Sequence, residues 1–161
     1  MLMEDLTFHF SHRMLHTPFL YHWIHKVHHE HKVTIGVAGQ YFHPIEFIFG
    51  SLIPVQVGPV LLGKRIHFVT AFTWYTLRYI ESVEGHSGYD FSWSPFRMIP
   101  FGADYAYHAY HHSHNIGNFG SWLTVWDTVF GSNKVYYEQL EGLKEDNEGA
   151  RVAAKFHILT S

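Results

Sequence analysis

Histidine is the feature that most constrains this chain, because it is crowded into short segments. The stretch HRMLHTPFLYHWIHKVHHEH at residues 12–31 holds seven histidines in twenty positions. The whole chain of 161 residues has 16 histidines and no cysteine. Disulfides, iron–sulfur clusters and thiolate sites are therefore excluded, and a metal bound here must use nitrogen or oxygen ligands.

Three histidine clusters repeat one spacing pattern. The first is HxxxH at residues 12–16, and HxxHH follows at residues 25–29 and again at 108–112. Residues three or four apart on a helix share a face, so each cluster presents two imidazoles together. In HxxHH the third imidazole, rotated by about 100°, can reach a second metal or an adjacent coordination position. Because no packing role needs this repetition, the pattern predicts that eight imidazoles share one metal-binding pocket: His12, His16, His25, His28, His29, His108, His111 and His112.

The number of histidines predicts two metal ions. A structural zinc takes four ligands and a catalytic zinc three, whereas calcium and magnesium prefer oxygen. Soluble di-iron bundles use glutamates in Glu-x-x-His motifs, which these clusters lack. Two first-row metals held by neutral imidazoles would carry a large positive charge, which nearby carboxylates balance in part. The candidates for that role are Glu30, Glu81, Glu84, Asp90, Asp104 and Asp127.

Two consecutive apolar segments suggest contact with lipid. Residues 47–63 carry no charge, and residues 66–80 are apolar apart from His67, hydroxyl groups and Arg78. The tight turn between them favours a hairpin that enters the bilayer and returns, although a pair of buried core helices has the same composition. If the histidines face the cytosol, Lys64 and Arg65 in that turn run against the positive-inside tendency.

The rest of the chain predicts a mainly α-helical domain over residues 1–137 and a charged, solvated tail over 138–161. Net charge is −3 and no basic run occurs, so nucleic-acid binding has no electrostatic support. Residues 121–130 have apolar side chains at helical spacing, which fits either core packing or a membrane interface. Further helices are expected over 4–16, 19–31 and 105–114, a connecting segment over 32–44, and mostly loop over 81–104.

The motifs together resemble a known family. HRMLH, HKVHHEH, HSGYD and HAYHHSHNIGNFGS are similar to the histidine boxes of the fatty acid hydroxylase/sterol desaturase superfamily. The most similar subgroup is the C-4 methylsterol monooxygenases, with the order EDxxFYxxHRxLH, HKxHHE, HPxE, HSGYD and HHDxHH. The matching stretches here are EDLTFHFSHRMLH, HKVHHEH, FHPIE, HSGYD and YHAYHH, which lie within about residues 4–131.

This resemblance implies an integral-membrane helical fold with a transmembrane hairpin and a cytosolic, histidine-rich cap at the endoplasmic reticulum. It implies a non-haem di-iron monooxygenase that uses O₂ to oxidise the C-4 methyl group of a sterol precursor. Electrons would come from NAD(P)H through a separate reductase and cytochrome b5. His86, in HSGYD, becomes a ninth metal ligand by resemblance, and His43 takes a structural or supporting role. The remaining histidines are expected outside the ligand set: His9, His22, His31, His67, His114 and His157.

Two departures from the subgroup keep other functions open. Tyr107 stands where the subgroup has histidine, and Ala109 replaces its aspartate. The family also has membrane-spanning sequence before the first box, so we expect a fragment or a short variant that lacks the N-terminal membrane helices. The alternatives are a hydroxylase or desaturase of a fatty acyl or other lipid, and a truncated, inactive homologue that binds metal. HSGYD and IGNFG favour the sterol interpretation over the other lipids.

Overall fold

The chain is mainly α-helical, as the sequence predicts. The computed structural model describes the backbone of residues 1–160 and the side chains of residues 1–148, and it has no β-strand in this part of the chain. The helices are α1 Leu2–Leu15, α2 Pro18–Trp23, α3 Pro44–Glu46, α4 Ile53–Leu62, α5 Phe68–Gly85, α6 Tyr105–His114, α7 Val125–Phe130 and α8 Lys134–Thr160. A π-helical turn, Phe47–Leu52, joins α3 to α4, and 3₁₀ turns occur at His25–Glu30, Gly36–Gln40, Gly63–Arg65 and Pro95–Met98.

The second predicted helix, over residues 19–31, is wrong as a single element. Helix α2 ends at Trp23, and Ile24 leaves the helical region with φ −126° and ψ −64°. The chain then continues as the 3₁₀ segment His25–Glu30. The backbone winding thus changes from α-helical to 3₁₀ between Trp23 and His25.

One helical segment is long and apolar enough to cross a membrane. Among the described residues it is Pro44–Arg65, which includes α3, the π-helical turn and α4. Only 17% of its most apolar window is buried. Because the core helix of a soluble protein would be mostly buried, this surface needs a covering that the described chain does not supply.

Helix α5 follows the turn Gly63–Arg65 and continues to Gly85, five residues beyond the predicted apolar segment. The expected loop therefore starts at His86 and contains one 3₁₀ turn. Trp74 Nε1 donates to the Val55 carbonyl at 3.1 Å, which ties α5 to α4. The other side of α5 packs against Gly36–Gln40 and α6 and thereby connects the apolar pair to the histidine clusters.

The predicted helix over residues 121–130 is shorter than expected and is confined to Val125–Phe130. The backbone amides of Ser121, Trp122 and Leu123 all donate to Oδ1 of the buried Asp5, at 2.8–3.2 Å. These amides converge on one carboxylate oxygen, so the segment is a turn around an anion instead of a helix.

Helix α8 includes the predicted solvated tail. Every described side chain from residue 141 to 148 is exposed. The expected boundary at residue 137 lies inside this helix. Side chains from residue 149 onwards, including His157, lie outside the described residues.

Candidate metal centre

The structure brings all nine sequence-predicted ligands into two adjacent groups. Group one has five members: His12, His16, His25, His29 and His111. Group two has four members: His28, His86, His108 and His112. In each group one ring nitrogen per residue lies within 4.8 Å of all the others. The groups adjoin where the His29 and His112 rings stack with centroids 4.5 Å apart.

The facing nitrogens are spaced as ligands of a common ion would be. In group one, His16 Nε2 is 3.0 Å from His25 Nε2 and 3.1 Å from His111 Nε2. In group two, His86 Nε2 is 2.9 Å from His108 Nε2 and 3.2 Å from His112 Nε2. Nitrogens bound about 2.1 Å from a metal are about 3.0 Å apart at right angles and about 3.4 Å apart at tetrahedral angles. The donor set therefore fits first-row metal ions.

Each HxxHH cluster is divided between the two groups. His25 and His29, four residues apart, both join group one, while His28 between them joins group two. In α6 the arrangement is reversed, because His108 and His112 join group two and His111 joins group one. Each cluster thus contributes its i, i+4 pair to one group and its middle histidine to the other, and the two groups are held together by shared segments.

The second ring nitrogen, Nδ1, of several of these histidines has a polar partner. Nδ1 of His12 is 3.0 Å from the Phe119 carbonyl oxygen, and Nδ1 of His86 is 2.7 Å from that of Ser82. A carbonyl can only accept, so these rings carry the proton on Nδ1 and point the Nε2 lone pair into the group. The remaining pairs are His28 with the Tyr41 carbonyl, His111 with the Gly117 carbonyl, and His25 with the Glu46 carboxylate.

Burial keeps the clustered imidazoles neutral at pH 7. Loss of water contact lowers the pKa of His12 and His86 to about 4 and that of His28 to about 3. Burial, followed by repulsion between neighbouring rings, lowers the pKa of His16 and His29 to about 2. Neutral imidazole is the form that binds metal, so the site is prepared for cations.

The carboxylate that contacts a ligand is Glu46, which was not among the predicted candidates. Its Oε1 lies 2.7 Å from His25 Nδ1, and the side chain is almost fully buried. None of the six candidate carboxylates, all within the described residues, accepts a hydrogen bond from the nine histidines. Tyr41 donates to Glu30, Arg78 to Glu81 and Arg97 to Asp90, whereas Asp104 caps α6. The signal for Glu46 was present in the FHPIE motif.

The histidines expected outside the ligand set lie outside both groups, so far as their side chains are described. His43 and His67 cap α3 and α5, since their Nδ1 atoms accept from Ile45 N and Val69 N. His9 is fully buried and lies 3.3 Å from Asp127 Oδ1. His22 and His114 are exposed, and His31 packs on the Tyr41 ring.

Tyr107, at the first departure from the resembled motif, is 2% exposed. Its hydroxyl donates to Asp127 Oδ2 at 2.8 Å. The residue that departs from the motif is therefore tied to a buried carboxylate and lies outside both histidine groups.

A cavity of about 180 Å³ reaches both groups of histidines. His12 and His25 of group one and His28, His86 and His108 of group two are in its wall. Its apolar lining includes Phe8, Leu15, Phe42, Val55 and Phe96. The polar side of the cavity is formed by Glu46, Arg78, Glu81 and Glu84. The site therefore combines paired all-histidine groups with a mixed apolar and polar chamber next to them.

An interior with two histidine groups and an adjoining cavity defines a class of helical proteins with a candidate dinuclear metal site. The chain belongs to the fatty acid hydroxylase family, whose sequence model matches residues 1–132. No solved structure matches the fold.

Three similar plant proteins illustrate the two kinds of name that relatives carry. Methylsterol monooxygenase 2-2 of Arabidopsis thaliana is 37% identical over 150 residues, which are 91% of this chain and 55% of that protein. Methylsterol monooxygenase 1-1 of the same species is 38% identical over 157 residues, or 96% of this chain and 52% of that protein. A very-long-chain aldehyde decarbonylase of Oryza sativa is 40% identical over 138 residues, which are 84% of this chain and 51% of that protein. The chain spans about half the length of the curated relatives it matches.

Proposed function

We propose that this protein is a non-haem di-iron oxygenase that oxidises the C-4 methyl group of sterol precursors. The observation that carries the proposal is the pair of all-histidine groups, five and four residues in size, that share one cavity. The similarity to methylsterol monooxygenases supports the sterol as substrate.

Two irons are the proposed metals, with His12, His16, His25, His29 and His111 holding one and His28, His86, His108 and His112 the other. When bound, iron supplies the activation of O₂ that removal of hydrogen from an unactivated C–H bond requires. All nine donors are neutral nitrogens, and general affinity order places zinc above iron(II), so zinc competes for the same sites.

The chain's own residues orient the metals and exclude water. Backbone carbonyls and Glu46 hold the ligand rings with Nε2 inward. Phe8, Leu15 and Phe42 present an apolar wall to the hydrocarbon part of a substrate, next to His12 and His28. Arg78 and the carboxylates on the polar side of the cavity are available to a substrate hydroxyl group.

The proposed setting is the endoplasmic reticulum membrane, with the histidine groups on the cytosolic side. The exposed apolar helix Pro44–Arg65 and helix α5 would form the hairpin in the bilayer. The electrons would arrive from NAD(P)H through a separate reductase and cytochrome b5.

A second substrate class has its own support. The aldehyde decarbonylase of Oryza sativa is as similar to this chain as the methylsterol monooxygenases, and its name specifies a very-long-chain lipid substrate. A hydroxylase or desaturase of a fatty acyl or other lipid is therefore the alternative. A metal-binding homologue without turnover is the third possibility.

The test has two measurements. Protein produced with iron present and zinc limited should carry about two irons per chain, because the two groups provide two sites. Membranes that contain the protein, its reductase system and NADPH should convert a 4-methylsterol to an oxidised product. A folded sample with one iron or fewer would refute the dinuclear site, whereas conversion of a very-long-chain aldehyde or acyl lipid in place of the sterol would select the alternative.

A further inference from the structure

Residues 117–120, the segment GNFG, touch two ligands of group one from the outside. The Gly117 carbonyl accepts from His111 Nδ1 at 2.6 Å, and the Phe119 carbonyl accepts from His12 Nδ1 at 3.0 Å. These two histidines come from α6 and α1, which are far apart in the sequence. A shift of this segment therefore turns two rings of the same group together.

Asp127 holds the segment in place. Its two carboxylate oxygens accept from Phe119 N at 2.9 Å and from Gly120 N at 2.7 Å. Ser132 Oγ and the Tyr107 hydroxyl donate to the same carboxylate at 2.6 and 2.8 Å. Asp127 is fully buried, and a Cβ added at residue 120 would lie 2.9 Å from its Oδ2, so the contact is tight.

Among the described residues, the carbonyls of residues 117–120 contact no ligand of group two. The Nδ1 partners of His28 and His86 are the carbonyls of Tyr41, directly after the turn Gly36–Gln40, and of Ser82 in α5. Asp127 reaches ring nitrogens of group one through the amides and carbonyls of residues 117–120. Its contact with the Tyr107 hydroxyl also reaches α6, which carries ligands of both groups, but none of its described contacts touches a group-two histidine.

We infer that Asp127 is a positioning residue for the five-histidine site alone and that Tyr107 supports it through its hydroxyl. This inference rests on the metal-binding part of the proposed function. Outer partners of metal ligands usually contribute 10–100-fold in affinity. Asp127→Asn replaces one carboxylate oxygen by an NH₂ group that cannot accept. Because Asp127 acts through the segment that contacts the ligands, metal binding at group one should weaken by up to that factor, and group two should be unchanged.

The experiment measures iron per chain and iron affinity in the full chain, in detergent. At an iron concentration that just fills both sites of the unmodified protein, Asp127→Asn should retain about one iron. His16→Ala disables group one and His86→Ala disables group two. In the His16→Ala background, Asp127→Asn should cause no further loss of iron. In the His86→Ala background, it should remove most of the remaining iron. Asp146→Asn, on the exposed part of α8, is the matched control and should bind as the unmodified protein does.

Two further variants separate positioning from general destabilisation. Tyr107→Phe removes one hydroxyl donor to Asp127 while keeping the ring, and Ser132→Ala removes the other; each should weaken group one and leave group two filled. The inference is overturned if Asp127→Asn lowers iron binding in the His16→Ala background, retains both irons at full affinity, or unfolds the chain so that both sites are lost. Two bound irons without sterol turnover would refute the proposed function and leave this inference standing.

Discussion

At the scale of single residues, histidine has two roles in this protein, and the hydrogen-bond partner of its ring nitrogen Nδ1 distinguishes them. In His12 and His86 one nitrogen faces a backbone carbonyl and the other faces neighbouring imidazoles. In His43 and His67 Nδ1 accepts from the backbone amide two residues further on and caps a helix. The partner of Nδ1 thus distinguishes a candidate ligand from a cap, since an accepting carbonyl frees Nε2 for a metal.

The ligand prediction follows from this distinction. His28→Ala and His111→Ala each remove a facing nitrogen, one from each group, and should abolish turnover and lower the iron content by about one per chain. His67→Ala removes only a helix cap and should cost roughly 0.5–2 kcal/mol of stability without emptying either group. Iron content and sterol product are measured for each variant. Unchanged iron in both His28→Ala and His111→Ala would show that the groups are not the metal site.

At the scale of elements, the apolar helix Pro44–Arg65 and α5 expose more hydrocarbon than a water-facing surface tolerates. Val60 is 71% exposed and Phe72 is 62% exposed, although neither has a polar role. Exposed apolar patches of this extent mark contact with a partner or with a membrane. Because one end of the pair adjoins the histidine groups, contact with lipid would bring an apolar substrate to the cavity.

We predict that lipid covers this surface. Since the chain has no cysteine, single cysteines can be placed by Val60→Cys and Phe72→Cys, with Glu145→Cys on α8 as the control. All three positions are exposed in the structure, so protection of the first two must come from outside the described chain, and it should appear in membranes and be lost in denaturant. In membranes a water-soluble maleimide should label position 145 quickly and positions 60 and 72 slowly. Equal labelling, or a chain that is monodisperse without detergent, would refute the membrane hairpin.

At the scale of the whole molecule, a large part of the interior is titratable. Burial raises the pKa of Glu4 to about 8, with Arg78 partly opposing the shift. Burial also raises the pKa of Asp5 to about 6, with the backbone amides of residues 121–123 partly opposing it. Burial lowers the pKa values of the clustered histidines, and these histidines outnumber the two carboxylates. The stability of the metal-free protein should therefore depend strongly on pH.

The direction of this pH dependence follows from the protons that the folded and unfolded chains bind. Between about pH 4 and 6.5 the unfolded chain protonates histidines that the folded chain keeps neutral, so folding weakens as pH falls. Each such histidine changes the free energy of unfolding by up to about 1.4 kcal/mol per pH unit. Glu4 and Asp5 offset only part of this change, because they favour the folded state at low pH. The melting temperature of metal-free protein in detergent should fall from pH 7.5 to pH 5 and recover on return. A constant or rising melting temperature over that range would contradict the neutral, buried state of the clusters.

The spacing in the sequence by itself picked out eight of the nine grouped histidines, and the family resemblance added His86. The sequence also predicted α1, α6 and the apolar stretch at residues 47–63. These features are local, because they depend on spacing along a helix and on composition. The grouping of the nine rings, by contrast, depends on the break at Ile24 and on the packing of α1, α5 and α6. Spacing along the helix indicates that one imidazole of each HxxHH cluster can reach a second metal, but it does not say which one.

Only the tertiary structure decided which carboxylates matter. Glu46 reaches His25 across 21 residues, and Asp127 acts through amides of the segment that holds His12 and His111. Asp5 similarly holds residues 121–123 in a turn that sequence periodicity had predicted as helix. Each of these contacts is long-range. The hydrogen bonds inside a protein depend on which polar groups folding buries together away from water. Local sequence does not encode this.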